Sequence, residues 1–192
     1  MKRILAVVVA VALSLGTMTL ASASTPKLSN ELLSISQMPI GWSVVHSGGS
    51  GGFSGCLAPK IGLKPVASAS VAFANGGNFP EVADDLASYG STPVATIKKA
   101  FSAVITTLDR CRSVTLSGKK TTLQLGQMSF PQFGSQSAAY VFTFSVSGVN
   151  AAVDRLMARV GTTMVAVLEV DLGSVNVSQF RGFVTKALAK VK

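Results

Sequence analysis

Histidine and tryptophan each occur once in this chain and cysteine twice, and only 13% of the residues are charged. An average soluble domain carries about 25%. One histidine and two cysteines leave no ligand set for a multi-ligand zinc cluster and no framework for a disulfide-dense miniprotein. Scarce charge beside 48% hydrophobic residues excludes long disorder. No glycine loop leads into a helix to cradle phosphate. The basic residues come as short pairs, Lys98-Lys99 and Lys119-Lys120, and as Arg110 and Arg112, none interleaved with stacking aromatics, so no nucleic-acid partner is expected. There is no internal repeat and no linker, and 192 residues make one ordinary domain.

The first 23 residues read as a signal peptide rather than as fold. Lys2 and Arg3 form a positive start, and Ile4 to Gly16 is an apolar run without a charge. Its length suits a signal core rather than the roughly 20 residues of a spanning helix. Ala21-Ser22-Ala23 supplies the small–x–small cleavage site, which makes Ser24 the first mature residue. The alternative is an uncleaved N-terminal anchor in the membrane. No cysteine lies near the cut to accept lipid. Removal of 23 of the 192 residues leaves 169, and loss of Lys2 and Arg3 takes the formal net charge from +9 to +7. Such a basic exported chain invites peripheral contact with an anionic envelope surface.

Residues 24–30 are polar and read as a short tether, with the domain proper over 31–192. Glu31 to Ile40 reads as one or two helical turns ended by Pro39, and Trp42 as a core anchor. Residues 47–55 are a glycine–serine run, hence a surface loop. Ala67 to Ala74 alternates as a strand, with Ala69, Val71 and Phe73 on one side. Pro80 to Tyr89, with Val82, Leu86 and Tyr89 at i, i+4 and i+7, reads as a short helix stopped by Gly90. The clearest helix runs from Pro93 to Cys111 with Thr92 as N-cap. Its stripe is Ile97, Phe101, Val104, Leu108 and Cys111. Period-two runs follow at 113–117, 121–125, 139–147, 149–160 and 162–172, the last two joined as a hairpin at Gly161. A second helix closes the chain, with Asn176 and Gln179 at capping spacing and Val177, Phe180, Phe183, Ala187 and Leu188 as its stripe. The order predicts an α+β domain: a mostly antiparallel sheet with the helices packed on one face, over Tyr140, Phe142 and Phe144.

Little here carries chemistry. Gly48-Gly49-Ser50-Gly51-Gly52 matches a nucleophile-elbow pattern, but no strand leads in, no helix leads out, and the lone base, His46, precedes the serine. Cys56 and Cys111 in an exported protein are expected to pair as a disulfide rather than to act as nucleophiles. With a two-residue turn at Gly161-Thr162, Asp154 falls opposite Glu169, a close carboxylate pair of the kind retaining glycosidases use. The competing reading is a solvated strand face, neutralised by Arg155 and Arg159 nearby. Asp84-Asp85 lacks the spaced oxygen ligands of a calcium loop.

Several features together resemble a known family. They are LLSISQMPIGW near the mature N-terminus with a cysteine soon after, Asp85-Leu86-Ala87-Ser88-Tyr89, and an amphipathic helix ending at Cys111. SAAYVFTF, a long hairpin and a final helix ending KALAKV complete the set. In this order they resemble the PknH-like extracellular sensor domains of actinobacterial exported proteins, over roughly residues 30–190. The LpqN-like exported proteins share the closing hairpin and helix. The resemblance implies a helix-flanked antiparallel sheet with a cleft suited to binding, and it brings no catalytic residues. The chain departs from the kinase member of that family: it has no kinase domain, no spanning helix after the signal, and two cysteines where a second bridge needs four.

The expectation is therefore a secreted, non-catalytic, sensor-like binding domain. It needs no cofactor or metal, is monomeric, and binds a small molecule or a cell-envelope component. The ligand is expected at the glycine-rich loop, Gly48, Gly49, Ser50, Gly51, Gly52 and Phe53, beside a sheet edge left free by the core. The alternatives are a small secreted hydrolase, using Ser50 with His46 or Asp154 with Glu169, and a basic envelope adhesion protein.

Overall fold

A computed structural model describes residues 26–45, 55–76, 79–116, 119–146, 148–174 and 176–192. The signal peptide, His46 and the loop Gly48–Phe53 lie outside the described residues. A helical turn α1 (Pro26–Ser29) and a 3-10 turn (Ile35–Gln37) lead into β1 (Trp42–Val45). Then follow a 3-10 turn (Gly55–Leu57), β2 (Ala67–Asn75), β3 (Glu81–Ser88) and helix α2 (Val94–Asp109). The rest is β4 (Ser113–Leu116), β5 (Lys119–Thr122), β6 (Gln124–Gln127), β7 (Gln136–Val146), β8 (Val149–Val160), β9 (Thr163–Leu172) and helix α3 (Val177–Leu188). Seven strands form one sheet in the order β1-β2-β3-β9-β8-β7-β6, and β4 and β5 form a separate hairpin. Every neighbouring pair of named strands is antiparallel, so the α+β expectation holds.

The helices lie on opposite faces of the sheet, not on one. Ile97, Phe101, Val104 and Leu108 of α2 pack with Ala72, Ala83, Tyr140, Phe142, Val153, Met157, Met164 and Leu168. Phe180, Phe183, Val184 and Ala187 of α3 pack with Phe73, Val82, Leu86, Leu156, Ala158, Val165 and Val167. Successive side chains of a strand point to opposite faces, so these two sets are the two sides of the same strands. Ala151 to Arg159 of β8 are buried without interruption, which requires cover on both sides. Tyr140 and Phe142 therefore sit beneath α2 alone, with Tyr140 Oη donating to Asp109 Oδ1 at 2.8 Å. Trp42 is core as expected, its ring edge-on to Phe183 at 5.3 Å.

The segment expected as a helix at 80–89 is strand β3. Val82 and Leu86 are four apart, a spacing that a period of two fits as well as a period of 3.6. Pairing with β2 on one side and β9 on the other satisfies its backbone along its length, which an exposed helical turn would not. Pro26–Ser29, read as tether, forms a helical turn with Leu28 buried in the α3-side core. At α2 the cap position is Pro93, whose carbonyl accepts from Thr96 and Ile97, rather than Thr92. At α3 the Asn176 side chain accepts from the Gln179 amide at 3.1 Å, as its spacing predicts.

Cys56 and Cys111 form the expected disulfide, with Cα atoms 5.4 Å apart. It ties the turn at Gly55–Leu57 to the residue just beyond α2 and closes a sequence separation of 55. A loop of this length stabilises by about 4 kcal/mol in the chain-entropy model. Reduction, or Cys56→Ser with Cys111→Ser, is expected to lower the thermal midpoint by about 10 °C. Calorimetry with and without dithiothreitol checks this, and an unchanged midpoint contradicts it. Phe183→Ala removes the ring packed on Trp42 and is expected to cost about 3–5 kcal/mol. Tryptophan emission, which reports this one residue, then shifts to the red, and unaltered emission would mean that α3 docks without this contact.

Candidate acidic site on the α3 face

Gly161 adopts φ +57°, a left-handed conformation open to glycine at little steric cost, and lets β8 reverse into β9 within two residues. Val160 then meets Thr163, and the ladder runs back until Asp154 stands opposite Glu169. Directly opposed residues carry Cβ atoms about 4.5–5.5 Å apart. The facing expected from the turn is thus present. The pair belongs to the face that carries Leu156 and Val167, the α3 side.

This is not a solvated strand face. Asp154 is 0% and Glu169 1% exposed, and none of their four carboxyl oxygens has a hydrogen-bond partner. Arg155 and Arg159 do not neutralise them, because both stand at odd positions of β8 and point to the α2 side. There the Arg155 guanidinium donates to the Leu57 carbonyl; burial lowers its pKa, and the Asp85 charge opposes that shift. Arg159 donates to Gln136 Oε1 and to the Gly161 carbonyl, each at 2.8 Å. The cross-strand neighbours of the pair are apolar, Val82 opposite Glu169 and Val141 opposite Asp154, as are Leu156 and Val167 two residues toward the turn, while Asp171 lies two residues the other way along β9. Burial therefore dominates the titration. It lifts Glu169 to about 8, helped by the charges of Asp154 and Asp171. It lifts Asp154 to about 6.

Asp84 on β3 is a third buried carboxyl, and sequence reasoning missed it by assigning its segment to a helix. Its partner on β9 is Val167, so it lies diagonally from Glu169 on the same face. Oδ2 accepts the Leu33 amide at 2.8 Å, while Oδ1 is buried without a partner. Burial lifts its pKa to about 7, against the Leu33 hydrogen bond and the Lys190 charge, which lower it, while Asp85 adds to the rise. Among the described residues no three histidine, cysteine or acidic side chains converge as a metal site.

A concavity lies apart from the pair, beside α2. A groove of about 550 Å³ is lined by Ser102 and Thr106 of α2 and by Phe130, Gln132, Ser135 and Ser137, among others. The sequence carried no sign of it, because its two walls meet only in the tertiary fold. Each face of the sheet is covered by a helix, α2 on one side and α3 on the other. Ser50, His46 and the candidate loop Gly48–Phe53 lie outside the described residues, so neither the serine pairing nor the loop contact has a geometry here.

No protein-family model and no curated protein matches the chain. Among solved structures it is similar to the extracellular domain of PknH from Mycobacterium tuberculosis, at 12% identity and a TM-score of 0.49. That match covers 64% of this chain and spans 62% of that one. No helix among the described residues is long and apolar enough to cross a membrane.

The pKa elevations set the direction of a pH dependence. Asp84, Asp154 and Glu169 hold protons in the folded chain that the unfolded chain releases near pH 4. Their contribution to stability is full below that pH and is lost as pH rises through about 6 to 8. The thermal midpoint is expected to fall by roughly 5 °C or more between about pH 5 and pH 9. Asp154→Asn with Glu169→Gln is expected to flatten most of that slope. Scanning calorimetry across pH checks this, and a midpoint that rises with pH contradicts it.

Proposed function

We propose that this chain is an extracytoplasmic, sensor-like binding domain that engages a small molecule or envelope component on the α3 side of its sheet, and that it is not an enzyme. The observation that carries the reading is the Asp154–Glu169 pair: two facing carboxyls, buried and without any hydrogen-bond donor. Leaving such groups unsatisfied costs about 1–3 kcal/mol each, more when charged, and a bound donor offsets that cost. The disulfide supports an oxidising compartment, in keeping with the signal read over residues 1–23.

A hydrolase is the second reading, favoured by the unequal titration of the two carboxyls, about 8 against about 6. Against it, catalytic carboxyls are held in aim by supporting hydrogen bonds, and these have none. Their neighbours Val82, Val141, Leu156 and Val167 also offer nothing to orient a sugar hydroxyl.

Native mass spectrometry of the exported protein, recovered from its host's medium, tests the proposal. A co-purifying molecule retained by the unmodified protein and lost from Asp154→Asn/Glu169→Gln is expected. Tryptophan emission checks that the variant is folded. Retention by the folded double variant would remove the site. Turnover of glycosides that disappears in the double variant would establish the hydrolase instead. Deleting residues 48–52 decides the loop: weakened retention at an unchanged thermal midpoint supports contact with Gly48–Phe53, and unaltered retention discards it.

A further inference from the structure

We infer that the ligand of the Asp154–Glu169 pair is an organic cation, a primary amine or guanidinium on an apolar stem. This rests on the binding reading above and names its chemical class. When ionised, the two carboxyls offer four acceptor oxygens and no donor, and all four are unpartnered. Both side chains are more than nine-tenths buried, so a guest that completes them must bring both positive charge and N–H groups. Apart from Asp84 and Asp171 on the same face, the side chains beside the pair are hydrocarbon. Val82 and Val141 flank the pair across the ladder, and Leu156 and Val167 flank it along the strands. An ammonium on an alkyl stem meets the acids at its head and these side chains along its length.

A divalent metal fits less well. Calcium takes six to eight oxygen ligands, and magnesium demands a near-ideal octahedron. Here two carboxyls face each other, and no third metal-ligating side chain converges among the described residues. The other charged groups on this face also favour a cation. Asp171 lies two residues along β9 from Glu169, with Oδ1 accepting its neighbour's amide at Leu172, and its charge raises the Glu169 pKa. Asp84 lies on β3, facing Lys190. Lys186 Nζ of α3 and Lys190 Nζ just beyond it donate to the carbonyls of Gln37 and Leu32, with the Lys190 charge also acting on Asp84, and Arg181 donates to that of Ser129 and lies over the Phe130 ring. Neither paired carboxyl reaches solvent, so the guest enters through a transiently opened state, and its apparent affinity carries the cost of that opening.

Isothermal titration of the exported protein with putrescine, calcium chloride and the neutral analogue 1,4-butanediol tests this. Saturable binding of putrescine alone is expected at about pH 8.5, where the pair is largely ionised, weakening at least about tenfold at about pH 5. Asp154→Asn/Glu169→Gln should abolish it, and Glu169→Gln alone, which removes one charge, should weaken it about tenfold if the double variant fails to fold. Glu31→Gln, far along the chain from the pair, should leave it unchanged. No saturable binding of putrescine, equal binding by the folded double variant, or preference for calcium would overturn the inference. A neutral or anionic molecule found by mass spectrometry and lost from the double variant would overturn the cation class alone, leaving the binding site in place.

Discussion

At Gly161 the chain turns in two residues, and ten successive pairs from Val160–Thr163 to Ala151–Leu172 are locked by that one reversal. A strand's side chains alternate, so a slip of one residue would exchange the two faces of β8. Asp154 would then point toward α2, and Val153 and Arg155 would point toward α3. The placement of every charge in the sheet's centre depends on this register. So does the match of Leu156 and Ala158 to Phe180 and Phe183, because those residues share a cluster only in the present phase.

The register divides charge as well as hydrocarbon. On the α2 side the two arginines of β8 find oxygen partners in Leu57, Gln136 and Gly161. On the α3 side the carboxyls of Asp154 and Glu169 find none, and Asp84 is half satisfied by Leu33. Burial without donors favours the neutral acid, which raises all three pKa values and makes this face prefer protons or a cation. A basic chain thus keeps a buried acidic centre: Arg155 and Arg159 lie across the sheet, and Arg181, Lys186 and Lys190 donate to backbone carbonyls rather than to the pair.

The disulfide and the helices hold this arrangement from outside. Cys111 follows the last turn of α2, and its bond to Cys56 fixes the 3-10 turn whose Leu57 carbonyl receives Arg155. On the other side, Trp42 against Phe183 and the amide of Leu33 on Asp84 tie the N-terminal segment to α3 and β3. The binding function proposed for the chain therefore sits on two inner strands of the sheet, β8 and β9. This suits recognition of one ligand geometry better than adaptation to many.

What the sequence determined by itself is local. The stripe of Ile97, Phe101, Val104 and Leu108 is buried along α2 as its spacing requires, Asn176 caps α3, and Gly161 sets the hairpin and hence the opposition of Asp154 and Glu169. Each depends on residues close in the chain, where helical period, capping chemistry and turn length act directly. Tertiary structure decided the rest. Val82 and Leu86 satisfy helix and strand equally, and β9, some 80 residues away, resolves them by pairing. The opposite placement of α2 and α3 follows from apolar side chains on both parities of β8. The same two-sided cover removed Asp154 and Glu169 from water, because desolvation is a property of the layers stacked around a residue and not of its neighbours in the chain.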